Sequence, residues 1–279
     1  MFFTKGYEMN YIVSIFLLIF LQCNFAHANE EKAGLSIQQA NQFMTDAGMN
    51  ELVQSLPQLM SQQLNLQRLM TVSGMTQDET KQAVNKAIAH VDGNLIALKY
   101  LMQHHNAKAL LDALNFLASP LGLRISREEK EASSPEGQLA MQAYAKTLSG
   151  APPSAKREVL IKQLTSALNA EQVVLEVIRG TVFSILDVAK GINPEALKTL
   201  RPEIKKEWRQ MKPALKSQLA QYMVMSSHYG YRNISDSDLK QYMAFLVTES
   251  GKTYWHAGIE VIDLYIKQFV IELTKTMVK

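Results

Sequence analysis

The chain has 279 residues, of which 47% are hydrophobic and 20% are charged, and its formal net charge is +3. This composition is typical of an ordinary globular protein with one large or two small domains. A net charge this small does not indicate a nucleic-acid partner, and Lys and Arg are interleaved with Asp and Glu without a long basic run. The sequence therefore predicts no nucleic acid among the partners.

The first 28 residues have the features of a signal peptide. Lys5 provides the positive charge, residues 11–21 form an apolar run, and residues 26–28 (Ala-His-Ala) form a small-x-small cleavage site. We expect cleavage between residues 28 and 29, and either Met1 or Met9 as the start. A retained membrane anchor is the alternative, but the apolar run is too short to span a bilayer comfortably and no stop-transfer pattern follows.

Cys23 is the only cysteine, and it lies inside this segment. Gln22 precedes it where a lipoprotein signal has a small residue, so lipid attachment is not favoured. The mature chain then has no disulfide, no thiol nucleophile and no thiolate metal site. The sequence predicts an exported bacterial protein, periplasmic or else secreted, because a cysteine-free chain fits an oxidising envelope.

Helix signals dominate the rest of the chain. Residues 36–39 (Ser-Ile-Gln-Gln) and 76–79 (Thr-Gln-Asp-Glu) are capping boxes, residues 133–136 place Pro in a first turn, and residues 235–238 open another helix. Apolar residues recur every three or four positions in two stripes: Ile204, Trp208, Met211, Leu215 and Leu219, and Trp255, Ile259, Ile262, Ile266, Phe269 and Leu273. No alternating run suggests a hairpin, so the predicted fold is all-α, a helical bundle. We expect kinks or interruptions at three prolines: Pro57, Pro202 and Pro213.

A charged and then Ser- and Pro-rich stretch predicts a boundary in the middle of the chain. We expect a linker over residues 126–155 that contains a short helix from about residue 135 to residue 148. It separates a first helical repeat, residues 29–125, from a second, residues 156–279.

The two predicted repeats rest on self-similarity within the chain. Residues 110–122 and 239–251 correspond at an offset of 129, and weaker matches upstream have offsets of 121 and 122. The difference is accommodated by a loop at residues 228–234. We expect Phe116 and Phe245 to be equivalent buried anchors, and the glycine after each helix to permit a left-handed turn.

These motifs resemble a known family. The signal peptide, the segment IKQLTSAL, the helix opening SDSDLKQYMAFL and a Ser/Thr-x-x-Gly helix stop are similar to the bacterial exported proteins with domain of unknown function 2059. The likeness is clearest over residues 155–275. The first half has the family's Ser-Pro-x-Gly at residues 119–122, whereas residues 248–251 (Thr-Glu-Ser-Gly) depart from it. The resemblance implies an exported helical protein, and it implies no activity or catalytic residue.

Local motifs indicate neither a metal nor a cofactor site. His104 and His105 are adjacent and point about 100° apart on a helix, and His256 with Glu260 lacks further ligands. Methionine, with fourteen residues, indicates adaptable core packing, or alternatively a groove for a lipid tail or peptide.

The function predicted from these features is a non-enzymatic binding or interaction module of the bacterial envelope, whose partner is an envelope protein or an apolar ligand. Two alternatives stay open: an enzyme whose site is assembled from residues distant in sequence, and a carrier of a lipid or other apolar ligand. The candidate partner-binding site is the loop at residues 228–234, because Tyr229, Tyr231 and Arg232 are residue types enriched in binding hot spots. A plain surface connection is the other interpretation of this loop.

Overall fold

The computed structural model describes residues 34–104, 106–148, 150, 152–167 and 170–278. These residues form thirteen α-helices and no strand, which confirms the predicted all-α fold. In chain order the helices are α1 (Ile37–Asp46), α2 (Met49–Gln63), α3 (Leu66–Ser73), α4 (Gln77–Ala89), α5 (Gly93–Gln103), α6 (Ala107–Leu117), α7 (Pro120–Ser133), α8 (Pro135–Thr147), α9 (Ala155–Ala167), α10 (Ala170–Ile192), α11 (Leu197–Gly230), α12 (Asp236–Leu246) and α13 (Glu249–Met277). The predicted signal peptide, its cleavage site and Cys23 lie outside the described residues.

Side-chain caps begin most of the short helices. The side chains of Ser36 and Thr76 accept hydrogen bonds from the backbone N–H groups of Gln39 and Glu79, whose own side chains accept from the cap residues. Each capping box satisfies N–H groups that have no partner within the helix. Both boxes were predicted from the sequence, and both helices begin at the expected residue.

Helix α13 runs through the centre of the molecule. It packs against α10 on one side and against α4, α5 and α6 on others. Its buried face includes Trp255, Ile262, Phe269 and Leu273, as the apolar spacing predicts. One continuous hydrophobic core surrounds this helix, and its residues come from both predicted repeats.

Helix α11 is the longest, with 34 residues, and it joins two regions of the fold. It packs against α10, and also against α7, α8 and α9. Pro202 and Pro213 lie inside it, and Pro57 lies inside α2, so these prolines do not interrupt their helices. The kinks expected as the alternative stay a prediction. A proline removes one hydrogen bond from a helix, and the burial of side chains such as Ile204 and Leu215 holds α11 together across both positions.

The predicted linker is mostly helical. Helix α8 matches the short helix expected within residues 126–155, but residues 126–133 belong to α7. Glu128 and Glu129 of α7 are buried, at 4% and 8% exposure. Part of the segment expected to form a linker therefore packs into the fold, because polar partners from the second half of the chain cover these two carboxylates.

Helices α6 and α12 begin and end at equivalent positions, at the predicted offset of 129. The helices that follow them, α7 and α13, are capped by Ser119 and Thr248, again 129 residues apart. The following matched pairs are buried in both halves: Phe43 and Leu164, Leu101 and Met223, Leu110 and Leu239, and Leu117 and Leu246. These correspondences support the duplication, which stays a prediction.

Two details of the predicted repeat differ from the structure. Gly122 and Gly251 lie in the first turns of α7 and α13, and the positive-φ glycines of the described residues are Gly48 and Gly74, so the expected left-handed turns were wrong. Phe116 and Phe245 are half-buried and not fully buried. They stack directly on each other, with ring centroids 3.8 Å apart and an angle of 4° between the rings.

We expect each of the replacements Phe116→Ala and Phe245→Ala to lower the free energy of unfolding by about 2 kcal/mol, less than a fully buried ring contributes. Because the rings contact each other, the double variant should lose about 1 kcal/mol less than the sum of the single losses. Urea denaturation of the four proteins measures this coupling. Phe183 contacts Trp208 elsewhere in the core, so Phe116→Ala and Phe183→Ala should be additive. If the losses from Phe116→Ala and Phe245→Ala also add, the contact between the two rings is contradicted.

Candidate functional site

The predicted partner-binding loop is the end of a helix and a connection that is buried except at Arg232 and Asn233. Residues 228–230 complete α11, and the chain then reaches α12 at residue 236. Tyr229 and Tyr231 are only 4% and 6% exposed. The expectation of a surface loop was therefore wrong, because α7, α8 and α9 cover this segment; whether it contacts a partner stays a prediction.

We call this region the polar junction, since charged and hydroxyl groups from four helices and one connection meet in it. Its members are Glu128, Glu129 and Glu131 of α7, Arg157 and Glu158 of α9, His228 and Tyr229 of α11, Tyr231, Arg232 and Asn233 of the connection, and Asp236 and Tyr242 of α12.

Glu129 lies at the centre of the polar junction. Its Oε1 accepts hydrogen bonds from the hydroxyl groups of Tyr231, at 2.7 Å, and Tyr242, at 3.0 Å. Burial raises the pKa of the Glu129 carboxyl to about 7, although the two hydroxyl groups oppose the shift. Glu129 therefore titrates near neutral pH inside the protein.

Ion pairs connect α9 to the end of α11 and the start of α12. Arg157 donates to Asp236 at 2.9 Å and to the Tyr231 carbonyl oxygen at 2.5 Å. Nε2 of the buried His228 lies 2.6 Å from a carboxylate oxygen of Glu158. A hydrogen bond from Lys162, together with His228, lowers the pKa of Glu158. These contacts fix the position at which the chain turns between α11 and α12.

The remaining contacts join the connection to α7. The Arg232 guanidinium lies 4.1 Å from the centre of the Tyr229 ring and donates to Glu131 at 2.5 Å. Asn233 donates to Glu128 at 2.8 Å. The structure thus brings the three residues singled out in the sequence into one region, where their contacts stabilise the packing of α7 against α11 and α12.

A small cleft lies at the turn between α1 and α2, against α13. It encloses a volume of about 10 Å³ and is lined by Ala47, Gly48, Met49, Leu52, Tyr254, Trp255 and Gly258. The indole N–H of Trp255 is buried and has no hydrogen-bond partner among the described residues. The cleft is smaller than ordinary ligand pockets, which measure roughly 300–1,000 Å³.

The first half of α11 carries a concentration of positive charge. Seven basic and two acidic residues lie between positions 198 and 216, giving this segment a net charge of +5. The whole chain has a net charge of +3, so all its other residues together have a net charge of −2. Six of the basic residues are spaced by three or four positions and follow one flank of the helix over about 27 Å. We call them the basic row: Lys198, Arg201, Lys205, Arg209, Lys212 and Lys216.

Among the described residues, ion pairs form only at the two ends of the basic row. Lys198 contacts Glu195 at 2.5 Å, and Lys216 contacts Glu171 at 3.3 Å. Within the described part of the chain, the four central residues form no ion pair. Of these, Arg201, Lys205 and Arg209 are exposed, and Lys212 is half-buried.

The acidic residues of the same segment lie on another flank. Helical spacing places Glu203 and Glu207 roughly opposite the basic row or to its side, and Glu207 contacts Arg68 of α3 at 2.6 Å. The basic row is therefore a surface of one sign and the strongest candidate for an interaction site.

No family model, curated protein or solved structure matches the chain. The resemblance to the family with domain of unknown function 2059 therefore stays a prediction. Among the helices that the structure describes, none is both long and apolar enough to cross a membrane. The described residues also contain no group of three potential metal ligands.

The basic row can be recognised in the sequence from the helical spacing of its residues, although the composition alone does not show it. Along the chain, the basic residues alternate with Glu203, Glu207 and uncharged residues, which indicated interleaved charge. At 100° per residue, however, positions 201, 205, 209 and 212 lie on one side of a helix. The periodicity of charge, considered in the same way as the periodicity of apolar residues, predicts this surface.

Proposed function

We propose that the protein is a non-enzymatic binding module of the bacterial envelope that engages a negatively charged partner along the basic row of α11. The observation that supports this proposal is the row of four neighbouring cations that form no ion pair within the described fold. The location in the envelope rests on the signal peptide predicted at residues 1–28.

The spacing of the cations in the row destabilises the helix, which favours a role for the row in binding over a role in stability. Like charges three or four positions apart on a helix destabilise it by about 0.2–0.5 kcal/mol per pair. Arg201 and Lys205, Lys205 and Arg209, and Arg209 and Lys212 are such pairs. A partner with negative charge removes this repulsion on binding, and the positive field accelerates its approach.

The two alternatives predicted from the sequence have weaker support. An enzyme with a dispersed site would find its polar groups in the polar junction, but there Glu129, Arg157 and Arg232 are engaged with neighbouring groups. A carrier of apolar ligands would use the cleft beside Trp255, which is small for that purpose.

Retention on immobilised heparin, a sulfated polysaccharide, tests the proposed function. We expect the quadruple variant Arg201→Gln, Lys205→Gln, Arg209→Gln, Lys212→Gln to elute at markedly lower salt than the parent, because the cations that contact the sulfates are removed. A matched control replaces four exposed lysines outside the row, at positions 81, 86, 146 and 240, by Gln.

The control should elute close to the parent although it loses the same total charge. If the two variants elute together, net charge and not the row determines retention, and the proposed function is wrong. Far-ultraviolet circular dichroism of each variant establishes that the helices are retained.

A further inference from the structure

We infer that the partner of the basic row is the surface of a bilayer that contains anionic phospholipids, an inference that rests on the proposed function. Clusters of four to eight basic residues on one face of a helix attract anionic headgroups through the sum of many weak contacts. The basic row has six such residues on one flank of a continuous helix.

The shape of the row fits a surface of mobile charges. The cations follow a straight line of about 27 Å, with about one cation per helical turn. Lipid headgroups diffuse within the bilayer, so each cation can contact an anionic headgroup even though the spacing between the headgroups is not fixed. No cleft is needed for this contact, and the described cleft lies elsewhere, between α1, α2 and α13.

The surroundings of the row argue against single-stranded nucleic acid. Proteins that bind single strands combine basic grooves with exposed aromatic rings on which the bases stack. The one aromatic residue within positions 198–216 is Trp208, which is buried at 7% exposure and packs against Phe183. The row therefore has the charge for a nucleic acid but lacks a stacking surface.

A protein partner also fits less well. Specific protein interfaces have a buried centre of apolar and aromatic side chains surrounded by polar residues. The large hydrophobic residues exposed on the described surface all lie outside positions 198–216. Because this segment of α11 exposes no large hydrophobic side chain, it cannot insert one into a bilayer. Lipid binding must therefore be electrostatic and reversible by salt.

Vesicle co-sedimentation tests the inference. The protein is the chain from residue 29 onward, which contains every residue of the described fold. The probes are vesicles of phosphatidylglycerol and phosphatidylcholine in equal parts, and vesicles of phosphatidylcholine alone. We expect binding to the first and not to the second, and a loss of about 1,000-fold in affinity in the quadruple glutamine variant, at about sixfold per cation removed.

Three further measurements fix the interpretation. The lysine control variant and a charge-conserving variant, Lys205→Arg with Lys212→Arg, should bind the anionic vesicles as the parent does. High salt should release the bound parent. A basic-row variant that binds like the parent would overturn the inference.

The outcomes separate this inference from the proposed function. If the row determines heparin retention but the anionic vesicles are not bound, the inference of a lipid partner is wrong and the proposed anion-binding function stands. If a duplex oligonucleotide displaces the vesicles through the same four residues and binds more tightly, the partner is nucleic acid. If heparin and vesicles are both bound without dependence on the row, both proposals fail.

Discussion

Replacing Glu129 by Gln is expected to stabilise the protein at about pH 8 by roughly 3 kcal/mol, and to change its stability little at about pH 4. Burial raises the pKa of Glu129 to about 7 in the folded protein, whereas an unfolded glutamic acid has a pKa of about 4.3. Between these two values the folded state holds more protons than the unfolded state. The contribution of Glu129 to stability is therefore complete below the unfolded pKa and is lost as the pH rises through 7.

Denaturation with urea at a series of pH values measures this effect as the difference between parent and variant. All other ionisable groups are common to both proteins, so their contributions cancel in this difference. The phenols around Glu129 stay neutral in this range, because burial raises the pKa values of Tyr231, Tyr242 and Tyr254. A difference that does not change between about pH 5 and pH 8 would contradict the raised pKa.

Two matched variants locate the effect at this carboxyl group. Tyr242→Phe removes a hydrogen bond that favours the charged form, so the pH dependence of stability should extend to higher pH. Glu203→Gln removes an exposed carboxylate outside the polar junction that forms no ion pair among the described residues, and it should leave the difference between pH 5 and pH 8 as in the parent.

The helices were predictable because their signals are local. The capping boxes at Ser36 and Thr76 and the apolar stripe of α13 each lie within a few turns of the chain, and each produces the expected helix. The equivalent bounds of α6 and α12 follow from the same short-range similarity. Such signals determine where a helix begins and which face it buries, and they contain no information about what covers that face.

The polar junction could not be predicted for this reason. Glu129 contacts Tyr231 and Tyr242, which are 102 and 113 positions further along the chain. In the sequence, residues 124–131 form a charged run of the kind that normally faces solvent. The packing of α7 against the end of α11 buries Glu128 and Glu129 of this run, and it also buries Tyr229 and Tyr231, which were expected on a surface loop.

Replacing Gly251 by Ala is expected to lower the free energy of unfolding by about 3 kcal/mol, the upper part of the range for forcing an extra carbon into a packed site. Gly251 lies in the first turn of α13, where its N–H donates to the cap residue Thr248. A Cβ atom there would lie 2.3 Å from the Phe245 carbonyl oxygen and 2.6 Å from the Leu246 Cα. Both are backbone atoms, so no side-chain rotation can relieve the clash. The end of α12 must instead shift relative to α13.

Gly180→Ala is the matched control for this prediction. Gly180 lies within α10, and a Cβ atom there would have no neighbour within 4 Å. Alanine favours the helix over glycine by about 0.5–1 kcal/mol, so this variant should be more stable than the parent. The same substitution therefore has opposite expected signs at two helical positions, and urea denaturation of both variants measures the difference.

Gly122, at the equivalent position of the first half, would place a Cβ atom 2.2 Å from the Phe116 carbonyl oxygen. We expect Gly122→Ala to destabilise the protein as Gly251→Ala does; stable alanine variants at both positions would show that the close approach of the two helix ends is not required.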